Sequence, residues 1–112
     1  MYTKEEVFNI RHNDYKITPM DKKIYEELGY VLHQADKPFG RNARIVYKEV
    51  FGTILNQRLI SLTLNGNMSA ERWYLNNYGD KDYEELELTD TEKKLLQLKH
   101  KELCEGYWAV PK

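Results

Sequence analysis

The chain has one cysteine, three prolines and no apolar run that approaches the ~18 residues of a membrane-spanning helix. One cysteine cannot form an internal disulfide, so nothing indicates a secreted, disulfide-stabilised scaffold. No signal-peptide pattern opens the sequence. We therefore expect a cytoplasmic protein that has no membrane partner.

Catalytic and cofactor signatures are missing as well. The sequence contains neither a phosphate-binding GxxxxGKS or GxxxxGKT loop, nor a GxGxxG loop, nor a GxSxG nucleophile elbow. His100 and Cys104 have metal-ligand spacing, but two ligands do not make a tetrahedral site, and His12 or His33 would have to complete it. We predict a protein that is not an enzyme and binds no metal or other cofactor.

What the sequence does contain is enough apolar material for one core. Hydrophobic residues make up 41% of the 112 residues and aromatic residues 12%, while 17 basic and 18 acidic residues nearly cancel. A chain of this length buries roughly 65% of its unfolded surface when it folds. We predict a single domain over residues 1–112.

Helix-start signals are the clearest local patterns. Thr18 can cap a helix, Pro19 fits the first helical position, and Asp21 occupies the third. Apolar residues then recur on one helical face, at Ile24, Leu28, Val31 and Leu32. The pattern predicts a helix from Pro19 to about Ala35.

Two more capping boxes predict two more helices. One predicted helix covers residues 4–12. The other is a C-terminal helix over residues 89–105, which ends before Gly106. Its apolar face consists of Leu95, Leu96, Leu98 and Leu103. The aromatic tail 107–111 is expected to pack back on the core.

The segment from Asn42 to Leu64 is ambiguous. Apolar residues spaced by four favour an amphipathic helix over 42–51, with a break at Gly52. Residues 58–64 fit either a helix or a strand, and the next two residues, Asn65-Gly66, can close a hairpin or end a helix.

We favour the helix for residues 58–64, because Ser69 then caps another helix that carries Trp73, Tyr74 and Tyr78. The predicted fold is mainly α, a compact bundle of four to five helices with at most a small β element.

Charge is segregated along the chain. Between Lys37 and Arg72, six basic residues face two acidic ones, for a net charge of +4. The connector 80–92 holds seven acidic residues and one lysine, for a net charge of −6. A local basic patch is what a protein needs in order to hold phosphates, whatever its total charge.

Within the basic region, Gly52, the triplet Asn56-Gln57-Arg58 and the later Asn65-Gly66 resemble the helix-turn-helix of phage-repressor-like regulators, over about residues 42–78. The resemblance implies a transcription regulator that binds double-stranded DNA, with a recognition helix opening at Asn56. Asn and Gln can read adenine, and Arg can read guanine. The candidate DNA-binding residues are Arg44, Lys48, Asn56, Gln57, Arg58 and Ser61.

The acidic segment supports an alternative function. The size, the composition and the lack of a catalytic signature are similar to inhibitors encoded by phages and mobile elements, anti-CRISPR proteins among them. Such a protein would use its carboxylates as a phosphate mimic against a host nucleic-acid-processing protein. The candidate residues are Asp80, Asp82, Tyr83, Glu84, Glu85 and Glu87. A third possibility is a protein that assembles with itself, for example as a homodimer, through exposed aromatic residues such as Trp73, Tyr74 and Trp108.

Overall fold

A computed structural model describes residues 15–36, 43–50 and 56–109. Within these ranges the chain forms a helix, five strands and a second helix. Their bounds are α1 Pro19–Leu28, β1 Tyr30–Ala35, β2 Arg44–Glu49, β3 Arg58–Thr63, β4 Met68–Leu75, β5 Lys81–Leu86 and α2 Asp90–Glu105. The strands form one antiparallel sheet in the order β1-β2-β3-β4-β5. The fold is therefore α+β, and the predicted mainly α bundle of four to five helices is wrong.

The start of α1 is the one that the sequence predicts. Thr18 accepts a hydrogen bond from the backbone N–H of Asp21, and the Asp21 carboxylate accepts one from the backbone of Thr18. The helix ends at Leu28, because Gly29 adopts a left-handed conformation with φ of 68° and closes the last turn. That conformation is easy for glycine. The predicted extension of the helix to Ala35 is wrong, since those residues form β1.

The predicted C-terminal helix is confirmed. Its Thr89 cap and Glu92 form the reciprocal capping box, and Gly106 follows the last helical residue. Of the predicted apolar face, Leu95, Leu96 and Leu103 are buried, whereas Leu98 is exposed. Trp108 is buried in the same core and Tyr107 packs against it, so this part of the tail packs back on the core as predicted. The predicted helix over 4–12 lies outside the described residues.

The middle of the chain is where the prediction fails. The helices predicted over 42–51, 58–64 and 69–78 are replaced by β2, β3 and β4, and residues 51–55 lie outside the described ranges. Ile45, Val46 and Tyr47 are all buried, although successive side chains of a strand point to opposite faces. An apolar run of this kind does not alternate and imitates a helix in sequence.

The two faces of the sheet have different surroundings. One row across the sheet joins Leu32, Tyr47, Ile60, Ala70 and Leu86 as cross-strand partners. These residues share a core with side chains of α1 and α2, so we call this side the helix-covered face. The opposite side, which includes Lys48, Leu59 and Trp73 by alternation, is the open face.

Candidate interaction surface on the β4–β5 hairpin

Arg58 is the predicted guanine-reading residue of the DNA-binding set. In the structure its guanidinium group is bonded to Glu92 and to the backbone of Glu87. Its Nε lies 2.9 Å from one carboxylate oxygen of Glu92 and its Nη2 lies 2.7 Å from the other. Nη2 also donates to the backbone oxygen of Glu87 at 2.7 Å. The hydrogen bonds to Glu92 raise the pKa of the Arg58 guanidinium. This side chain ties α2 to β3.

Of the other five predicted DNA-binding residues, two are bonded to other groups of the protein and three project to the face of the sheet opposite Arg58. Both oxygens of Asn56 accept hydrogen bonds from Arg72, and the Gln57 side-chain amide donates to the backbone oxygen of Glu49. The three remaining residues lie on the open face by alternation, and they are Arg44, Lys48 and Ser61. A recognition helix that starts at Asn56 is wrong, because strand β3 begins at Arg58.

The six residues of the alternative set lie together on or beside β5. Asp82 and Glu84 project on the side of Leu86, which belongs to the helix-covered face. Tyr83 and Glu85 project to the open face, where Tyr83 pairs with Trp73. Asp80 precedes the strand and Glu87 follows it. From Asp80 to Glu87 the chain carries five carboxylates and one lysine, and every one of these side chains except Leu86 is exposed.

Exposed apolar side chains concentrate on the same hairpin. Of the five large hydrophobic residues that are exposed in the described ranges, Leu98 lies on α2 and the other four lie on the β4–β5 hairpin. They are Tyr74, Leu75, Tyr78 and Tyr83. Tyr78, at the turn, is 90% exposed. Tyrosine is enriched in the buried centres of protein–protein interfaces, because it covers a large area while few torsions become fixed.

The negative charge of the hairpin raises the pKa of a tyrosine on the neighbouring strand, Tyr74. Tyr74 is the cross-strand partner of Asp82 and the two residues lie on the same face. The charge of Asp82, followed by desolvation and the charge of Glu84, raises the pKa of the Tyr74 phenol. Tyr74, Asp82 and Glu84 therefore form one acidic, aromatic surface, which we call the acidic hairpin face.

The turn that joins β4 and β5 is held by its own hydrogen bonds. The Asn76 side-chain oxygen accepts from the backbone N–H groups of Tyr78 and Asp80, at 2.9 and 3.0 Å. Gly79 adopts a positive φ of 79°, which closes the turn. The most exposed tyrosine is therefore carried on an ordered turn.

Sequence reasoning missed a buried ionic cluster under α1. Lys99 is fully buried, and its ammonium group lies 3.0 Å from Asp21 and 2.8 Å from both Thr18 and Glu102. Asp21 also accepts hydrogen bonds from the hydroxyls of Tyr15 and Tyr47. Burial raises the pKa of Tyr47, and the charge of Asp21 adds to that effect. The sequence does contain one signal of this cluster: Lys99 falls between Leu96 and Leu103 on the apolar face of α2, where a lysine is buried.

His100 and Cys104, which have metal-ligand spacing in the sequence, contact each other on α2. The Cys104 sulfur lies 3.4 Å from His100 Nε2, and the same nitrogen lies 2.9 Å from the backbone oxygen of Leu64. Within the described ranges, no three His, Cys, Asp or Glu side chains are placed to hold a metal ion. His12, one of the residues that would have to complete a site, lies outside those ranges.

No protein-family model, curated protein or solved structure matches this chain. In the part of the chain that the structure describes, neither helix is long and apolar enough to cross a membrane.

Proposed function

We propose that this protein is a cytoplasmic, non-enzymatic binding protein whose acidic hairpin face occupies a basic cleft of a nucleic-acid-processing protein. The single observation that carries the proposal is the coincidence, on one hairpin, of five exposed carboxylates with four of the exposed large apolar side chains. Carboxylates supply complementarity to lysine and arginine, and the tyrosines supply apolar contact area.

The spacing of the carboxylates supports phosphate mimicry. A strand rises about 3.3 Å per residue, so Asp82 and Glu84 are separated by about 6.6 Å along the same face. One DNA strand presents one phosphate per about 3.4 Å of axis. The spacing of Asp82 and Glu84 therefore corresponds to about every second phosphate of one strand, and a cleft that binds a phosphate backbone can place a basic side chain against each carboxylate.

The distribution of the basic residues favours this function over double-stranded DNA binding. Arg58 forms an ion pair with Glu92, and Arg72 donates hydrogen bonds to Asn56. The acidic hairpin face would repel a phosphate backbone. DNA binding through the basic residues of the open face is the competing outcome in the experiment below.

The test compares a hairpin variant with a variant of equal charge. The hairpin variant carries Asp82→Asn and Glu84→Gln, and the control carries Glu27→Gln and Glu105→Gln, two exposed residues on the helices. Each tagged protein captures partners from a host-like lysate, and both proteins and nucleic acids in the eluate are quantified. The captured protein is then titrated with each variant.

We expect the hairpin variant to bind its partner at least about tenfold more weakly than the wild type and the control, since each lost charge contact at an interface costs on the order of 1.4 kcal/mol or more. The partner should also release its nucleic acid when the wild-type protein is added. Equal binding by all three proteins, or recovery of DNA without a protein partner, would falsify the proposal.

A further inference from the structure

The outer edge of β5 can accept a further strand. β5 is the last strand of the sheet, and in the described ranges no other strand lies beyond it. It pairs with β4 without a register shift, and every residue before Leu86 is exposed. β1, at the opposite edge, has a register shift between Leu32 and Gln34. Because a bulge bends an edge and interrupts its ladder, an added strand finds a regular edge only at β5.

The turn of the hairpin shows which backbone groups lie along that edge. The Asn76 N–H donates to the Asp80 carbonyl oxygen at 2.9 Å, so these two residues form a hydrogen-bonded pair. Such pairs alternate along an antiparallel ladder, and the even-numbered residues of β5 therefore bond to β4. The odd-numbered residues direct their N–H and C=O groups away from β4, and they are Lys81, Tyr83 and Glu85. An added strand requires this alternate spacing of donors and acceptors.

A contact of Tyr83 agrees with this assignment. Its N–H donates to the side chain of the preceding residue, Asp82, at 2.8 Å. A strand added at the edge would replace this local bond with an interstrand bond, and the Asp82 carboxylate would then be available to a cation. One ligand can therefore use both the backbone and the charge of the edge.

The charges of β5 select a basic strand. Asp82 and Glu84 project to one face of the sheet and Glu85 to the other, so carboxylates border the edge on both sides. A second copy of this chain fits poorly. β5 carries three carboxylates and one lysine, and antiparallel pairing of two copies centred on Tyr83 sets Asp82 opposite Glu84. Like charges directly opposite each other destabilise a strand pair, whereas opposite charges stabilise it.

We propose that an extended basic segment of the partner adds to the sheet as a strand beside β5. The inference rests on the proposed function for the partner's identity and assigns the way in which that partner is bound. All strand pairs of the described sheet are antiparallel, and the added strand follows the same arrangement. Its pattern is then basic-basic-apolar-basic, opposite β5 from residue 85 back to residue 82. Main-chain hydrogen bonds supply affinity in this mode of binding, and alternate side chains supply specificity.

The first test is an NMR titration of the full chain with the peptide Thr-Lys-Lys-Val-Lys-Thr, blocked at both ends. Two N-methylated forms keep the same charge. Methylation of the valine removes an N–H that faces β5, whereas methylation of the lysine after it removes one that points away. We expect the first form to bind at least about fivefold more weakly than the unmodified peptide, the size of one backbone hydrogen bond, and the second to bind like it. Equal binding of the two forms, or no binding of the peptide, would overturn the proposal.

Variants of the protein test the edge itself. Tyr83→Pro removes the outward N–H and leaves the bonds of β5 to β4 in place, while Tyr83→Ala is the matched control that removes only the ring. We expect the proline variant to bind the peptide at least about fivefold more weakly than the alanine variant. Thermal unfolding checks that both are folded. Equal binding by these two variants contradicts strand addition.

The captured partner separates this inference from the proposed function. If it binds the proline and alanine variants equally but binds the variant with Asp82→Asn and Glu84→Gln more weakly, strand addition is wrong and the proposed function stands. Weaker binding to the proline variant than to the alanine variant supports strand addition. Sedimentation of the isolated chain tests the second copy as occupant, and a dimer that Tyr83→Pro dissociates would overturn the proposal.

Discussion

The two ends of the sheet differ in how far their side chains are buried. Around β1, β2 and β3, one face is covered by α1 and α2, and even the charged residues Asp21, Glu92 and Lys99 are buried with their partners. At β5 no side chain before Leu86 is buried or half-buried. One sheet therefore combines a packed half that stabilises the fold with a hairpin half that is available for contact. Substitutions should separate the two halves.

The largest effect is expected at Lys99. Lys99→Met leaves the Asp21 carboxylate buried without its counter-charge, and breaking a buried ion pair costs about 3–5 kcal/mol. The matched substitution on the hairpin, Lys81→Met, should change stability by less than about 0.5 kcal/mol, because the side chain is exposed. Urea unfolding followed by circular dichroism measures both. Similar losses in the two variants would contradict the division between the halves.

An intermediate effect is expected at Glu92. Burial alone would raise the pKa of Glu92, but hydrogen bonds from Arg58, the Thr89 backbone and Tyr30 outweigh burial and lower it. Because the folded-state pKa lies below the ordinary value of 4.5, the ionised carboxylate stabilises the protein above that pH. This contribution is lost as the pH falls through the lowered value.

The variant Glu92→Gln isolates this contribution. It should cost about 2 kcal/mol at pH 7, since charged hydrogen bonds contribute about 1.5–3 kcal/mol each and the amide keeps some of them. Denaturant unfolding of the wild type and the variant between pH 7 and pH 3 measures the difference. The difference should shrink below pH 4.5. A difference that stays constant over this range would show that Glu92 does not titrate in the way its contacts require.

The smallest effect is expected on the hairpin itself. Substituting Asp82→Asn and Glu84→Gln should leave stability within about 0.5 kcal/mol of the wild type. The pKa of the Tyr74 phenol should nevertheless fall back toward 10.0, because both carboxylates raise it. Glu85→Gln is the control, since Glu85 projects to the other face. Titration of the Tyr74 ring carbon by NMR measures the pKa, and an unchanged value would rule out the common face.

The starts of both described helices could be predicted, because a helix N-cap is a local signal. Thr18 and Thr89 each bond to a backbone group three residues away, so the nearby sequence contains the whole interaction. The end of α1 was signalled too. Gly29 is the residue at which the chain turns left-handed, although the apolar spacing of Val31 and Leu32 favours a longer helix.

The strands could not be predicted from spacing, because their pairing depends on distant residues. Val46 and Tyr47 are buried on opposite faces of β2, so the strand lacks the alternation that distinguishes a half-buried strand. The residues of the acidic set lie together on one exposed segment, and their adjacency in the sequence and their charge are enough to indicate that. The strand register is needed to see that the acidic set is divided between two faces of the sheet. The ion pair between Arg58 and Glu92 joins residues that are distant in the sequence, so no local pattern indicates it.

The capping carboxylates link secondary structure to tertiary structure. Asp21 closes the first turn of α1 and also receives Tyr47 from β2, while Glu92 closes the first turn of α2 and receives Tyr30 from β1. Neither helix can unwind from its amino end without releasing a contact to the sheet. Amide hydrogens of these first turns should therefore exchange with solvent only through cooperative opening of the domain, whereas ordinary helix ends exchange by local fraying.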